Sequence, residues 1–183
     1  MSLSQVNRAR VGIALGAFIL VALHLAWEMF HGGVVSHHFL ARADMPSMSN
    51  WWGVVLVPAL AWFVAGRVQS RAASGMQNDG TTPGSIRSAI PAFAGALVYG
   101  GALAVSYSCG LGFEQYLFMA LFAIGLILPI YRGEYILGFV LGMMVTFGGV
   151  LPMVVAAVVA SISWAAHVVF RFAKRLLSSR KRA

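Results

Sequence analysis

The chain has 183 residues, 60% of them hydrophobic and only 10% charged, with a mean hydropathy of +0.81 and a net charge of +8. That balance excludes an ordinary water-soluble domain, which carries more charge and less apolar bulk. The basic residues lie between and after apolar runs, which reads as membrane topology and not as a nucleic-acid footprint. The single cysteine, Cys109, permits no intramolecular disulfide and no paired-cysteine redox or zinc motif.

Apolar runs near 20 residues recur, each long enough to cross ~30 Å of hydrocarbon as a helix. Period-2 alternation is absent, which argues against a β-barrel. After a polar lead with Arg8 and Arg10, the first span is read over 11–30. It ends in His24, Trp27, Glu28 and His31 without a small-residue cleavage pattern, so it is read as an uncleaved span and not a signal peptide. A polar connection at 31–50 follows. The second span, 51–68, carries Pro58 and has Ser49 or Asn50 as its cap. Residues 69–87, rich in Gly, Ser, Thr and Asn, are read as a loop. The third span is placed at 88–107 with Pro91 in its first turn, and the fourth at 112–131. A short fifth span, 135–147, is broken by Gly148-Gly149. Pro152 opens the sixth, 152–172, and a basic tail occupies 173–183. The expectation is one all-α bundle of six transmembrane helices.

Six crossings place both termini on one side. That side then collects 12 of the 13 Lys and Arg residues, leaving only Arg42 opposite. Such asymmetry assigns the arginine-rich side, with both termini, to the cytoplasm of an inner-membrane protein. Gly138 and Gly142 form a GxxxG, which packs helices closely within one bundle or forms a homodimer face.

The chemistry concentrates in His24–Trp52, on the opposite side. Four of the five histidines and two of the five acids lie there. His24, Glu28 and His31 are spaced i, i+4, i+7 and share one helix face. Gly32-Gly33 lets the chain fold back, so His37 or His38 can join them. Imidazole and carboxylate suit zinc, iron, manganese or copper. A carboxylate near the end of an apolar span is costly unless paired, and no Lys or Arg except Arg42 is near Glu28. The expected site is therefore a divalent metal held by His24, Glu28, His31, His37 and His38, with Glu28, Asp44 and Glu114 as acid/base or orienting groups. That reads as a metal-dependent membrane enzyme acting on a lipid-like or periplasmic substrate at the outer interface. A metal-free proton-handling pair and a structural cluster are the competing readings. Two further functional readings stand beside the enzyme. A small transporter needs inward polar steps, for which Tyr99, Ser106, Thr146, Ser161, Ser163 and His167 are the candidates. An accessory subunit would use the outer stretch as a contact surface for a partner. His167 lies at a different height from His24, by roughly 12 Å at 1.5 Å per residue. It is expected to be a packed histidine bonded near Ser163, and Met143 and Met144 to be core filling.

Overall fold

In hydrocarbon a chain must satisfy its own backbone N–H and C=O groups, and apolar runs without period-2 patterning do so as helices. The computed structural model describes residues 3–34, 36–38, 47–79 and 84–180. It is all-α in class. The helices are α1 (Leu3–Phe30), α2 (Gly53–Asp79), α3 (Gly84–Ser108), α4 (Glu114–Ile127), α5 (Gly133–Phe147) and α6 (Val150–Arg180). Between α1 and α2, the three-residue strands β1 (Ser36–His38) and β2 (Ser47–Ser49) pair antiparallel. A single 3-10 turn at Asn50–Trp52 then leads into α2.

Four helices, α1, α2, α3 and α6, are long and apolar enough to cross a membrane. The other two, α4 and α5, have 14 and 15 residues, about 21–22 Å at 1.5 Å per residue. The outward faces are apolar: Ile13, Leu20, Leu23, Val98, Met119 and Val169 are all exposed. In water such a continuous surface would drive association, whereas hydrocarbon solvates it.

Most of the loop expected at 69–87 is helix: α2 runs on to Asp79 and α3 starts at Gly84. Ser70 and Ser74 turn their hydroxyls back to the carbonyls of Gly66 and Ser70, so these polar residues sit on helix without opposing it. Pro91 consequently lies inside α3 and not in its first turn. The tail also continues the last helix, since α6 extends to Arg180. The break between α5 and α6 falls where expected. Gly148 has φ +68° and ψ −175°, a conformation essentially confined to glycine, and Pro152 follows in the first turn of α6.

Successive helices alternate in direction, as their contacts show. Arg10 of α1 lies over Trp62 of α2, Arg71 of α2 reaches Glu134 of α5, and Arg132 reaches Ser88 of α3. At the opposite end, Asn50 meets Glu28 and Ser108 meets Thr146. The bundle thus has an arginine-rich end and a His/Glu end. Its most buried element is α5, where Leu137, Phe139, Val140, Met143 and Met144 are all inside. Both methionines are core filling, as the sequence suggested. The glycines of the α5 GxxxG lie against α3: a Cβ at Gly138 would fall 2.3 Å from the Phe93 carbonyl oxygen, and one at Gly142 would fall 2.3 Å from that of Leu97. Gly100 reciprocates toward Phe139 at 2.6 Å. This face is therefore occupied within the chain.

Candidate functional site

At the His/Glu end, α1 positions His24 and Glu28 one turn apart, and they meet as the spacing requires. His24 Nε2 lies 3.2 Å from Glu28 Oε1, with Glu28 buried and His24 partly buried. The third group does not converge on them. His31 sits past the end of α1, exposed, with Nδ1 2.8 Å from the Trp27 carbonyl oxygen and its ring stacked on Trp27. The backbone here is closing the helix, since the His31 and Gly33 amides both return to the Glu28 carbonyl. His31 therefore follows the turn outward and leaves the face shared by His24 and Glu28.

One partner of Glu28 is Asn50. Its Nδ2 donates to Glu28 Oε1 at 2.8 Å across 22 residues of sequence, and Asn50 is only 1% exposed. The sequence suggested Asn50 or Ser49 as a helix cap. Ser49 takes that role, its Oγ accepting from the Trp51 amide, which leaves the Asn50 side chain available to α1. Gly148 makes the room: a Cβ there would fall 2.0 Å from Asn50 Oδ1. A neutral amide thus stands beside the buried carboxylate; Arg42, the cation near Glu28 in sequence, lies outside the described residues.

Glu114 opens α4 and takes the Ser106 hydroxyl at 3.4 Å. His37 and His38 belong to β1, but their side chains lie outside the described residues, as does the whole of Asp44. Among the described residues, no three His, Cys, Asp or Glu side chains come together as a ligand set.

The other polar groups within the bundle are tied locally. Ser163 donates to the Gly125 carbonyl at 2.7 Å, Ser161 to that of Ala157, and Tyr99 to that of Leu117. His167 bonds the Ser163 carbonyl at 2.8 Å and meets the Tyr131 ring edge-on, as a packed histidine does.

Two features were not anticipated from the sequence. The first is an ion cluster at the arginine-rich end. Glu134, which falls between the fourth and fifth predicted spans, is 2% exposed. Its carboxylate lies 2.7 Å from Arg71 and 2.6 Å from Arg132. Such a buried carboxylate is sustainable because two guanidiniums compensate it. The second is a cavity of about 490 Å³ bounded by α3, α4, α5 and α6. Small residues leave the space: Ala92, Gly95 and Ala96 on α3, and Ala156 and Ala160 on α6. Leu121, Ile124, Ile136 and Phe139 complete an apolar wall whose polar members are Ser88, Tyr99 and Tyr135. The signal in the sequence was the run of small residues in spans three and six, which fixes missing volume only once the helices are placed. Comparison with protein-family models, with curated proteins and with solved structures found no match to this chain.

Proposed function

We propose that this chain is a multi-pass protein of the inner membrane, crossing six times with both termini in the cytoplasm, and that its cavity holds a lipid-like molecule. The cavity carries the functional part of this reading. Its volume of about 490 Å³ lies within the ~300–1,000 Å³ typical of small-molecule sites, and such sites are largely apolar with a few placed polar groups. An occupant would share its apolar wall with the bilayer around it. Among the described residues no acid or histidine lines it, which favours binding over hydrolysis at this place. The charge asymmetry of the sequence supports the orientation.

The test is native mass spectrometry of the full chain released from lipid nanodiscs. The wild type should carry an amphiphile. Gly95→Leu and Ala160→Phe, which place side chains in the cavity, should lose it while remaining folded. No retained amphiphile, or equal retention in both folded variants, would refute the reading.

A metal-dependent enzyme is the second reading. It is supported by the His24–Glu28 pair, two metal-capable groups in contact. It requires further ligands, for which the sequence offers His37 and His38. Elemental analysis of protein purified without chelators decides it. About one metal per chain, lost in His24→Ala and retained in His167→Ala, is the supporting result. Absence of metal after attempted reloading removes the reading.

A further inference from the structure

We infer that the cavity's occupant is an anionic amphiphile: an apolar chain lies along α3, and a phosphate or carboxylate head is held by Arg132 beside Ser88. This rests on the cavity reading above and adds the identity of the head. The polar groups of the wall are unevenly placed. Ser88 lines the cavity at the arginine-rich end, and its Oγ lies 3.4 Å from Arg132 Nη2, which puts the guanidinium at the rim. Tyr99 stands 11 residues farther along α3, about 16 Å at 1.5 Å per residue, and its hydroxyl is engaged by the Leu117 carbonyl. Between them the α3 wall is Pro91, Ala92, Gly95 and Ala96. A molecule matching this wall is apolar over its length and polar at the Ser88 end.

The sign of the head follows from the charges there. Arg71 and Arg132 both pair with Glu134, so two guanidiniums face one carboxylate and one positive charge remains. Arg132 directs Nη2 to Glu134 and Ser88, while its Nε is buried without a hydrogen-bond partner. A guanidinium carries five donors in a planar fork that suits an oxyanion. Arg87, adjacent to Ser88 and exposed, adds to the positive field. Glu134 is the only carboxylate at this end among the described side chains. Asp79 lies two turns beyond Arg71 on α2. Glu134 Oε2 accepts a hydrogen bond from Arg71 and Oε1 lies 2.6 Å from Arg132 Nη2, so arginine flanks both oxygens. A cationic or neutral head would leave the surplus charge uncompensated.

The test uses native mass spectrometry of the full chain against matched probes: phosphatidylglycerol against diacylglycerol, and oleate against methyl oleate. Either anionic member should be retained about tenfold over its neutral counterpart, as one charge-assisted contact provides. The pair that discriminates tells phosphate from carboxylate. Arg132→Gln should remove the preference while keeping residual binding of the neutral probe, and Arg132→Lys should restore part of it. If Arg132→Gln does not fold, the wild-type preference should still shrink as ionic strength rises from 0.1 to 1 M. Equal retention of anionic and neutral members overturns the anionic head and leaves the cavity reading standing. Retention that Gly95→Leu does not reduce overturns the cavity reading itself. Inorganic phosphate displacing neither lipid probe supports an amphiphile, whereas a chain dimer seated without any lipid overturns it.

Discussion

The contact between α3 and α5 makes one substitution act in opposite directions at neighbouring glycines. At Gly138 and Gly142 an alanine Cβ falls 2.3 Å from a carbonyl oxygen of α3. That is about 1 Å short of the ~3.3 Å at which carbon and carbonyl oxygen normally rest. The obstacle is backbone, so the helices must part along their length. Overpacking of this kind costs ~1–3 kcal/mol, against ~1 kcal/mol gained from replacing glycine by alanine within a helix. Because the obstacle is backbone the cost falls at the upper end, about 3 kcal/mol, so each single variant should be destabilised by about 2 kcal/mol net, or roughly 4–8 °C in Tm at ~2–4 °C per kcal/mol. The double variant should lose less than the sum, because one displacement serves both. Gly95→Ala is the control on the facing helix. Nothing lies within 4 Å of its added Cβ, so only the helix-propensity gain of ~1 kcal/mol remains and Tm should rise. Thermal unfolding in detergent, followed by tryptophan fluorescence, measures all four proteins. A Gly142→Ala protein as stable as wild type, or one whose oligomeric mass changes while its stability does not, would refute the packing argument.

Glu134→Ala should lower stability by about 3 kcal/mol, the low end for breaking a buried ion pair because both arginines are partly exposed, and Glu134→Ala/Arg71→Ala should recover part of it; the same melts read this out. Gly148→Ala combines an unfavourable backbone conformation, worth ~1–3 kcal/mol, with displacement of the Asn50 amide. It should destabilise clearly more than Gly12→Ala, where nothing lies within 4 Å. Cys109, the chain's only cysteine, is exposed at the His/Glu end. A membrane-impermeant maleimide added to intact cells with an opened outer barrier should label it, and labelling only after inner-membrane lysis would reverse the proposed orientation.

Features set by neighbouring residues were legible in the sequence. The Gly148-Gly149 break, the start of α6 near Pro152, the close-packing role of Gly138 and Gly142 and the His24–Glu28 encounter all follow from local spacing. The excess of glycine, serine and asparagine near 69–87 was misleading, because these polar residues end two long helices beyond the apolar stretch. Partners distant in sequence were not legible. Asn50 reaches Glu28 across 22 residues, and Arg71 reaches Glu134 across 63. That Asn50 is among the partners of Glu28 depends on where the 3-10 turn at Asn50–Trp52 docks against Gly148. The cavity was least visible, because it is a volume that Gly95, Ala156 and Ala160 leave unfilled.

The most direct test of the cavity reading is an electron cryomicroscopy map of the chain in lipid nanodiscs. The expected result is elongated density within the cavity, running from near Tyr99 to Ser88 and ending against Arg132. A cavity closed by its own side chains, or filled by a helix of another chain, would contradict it.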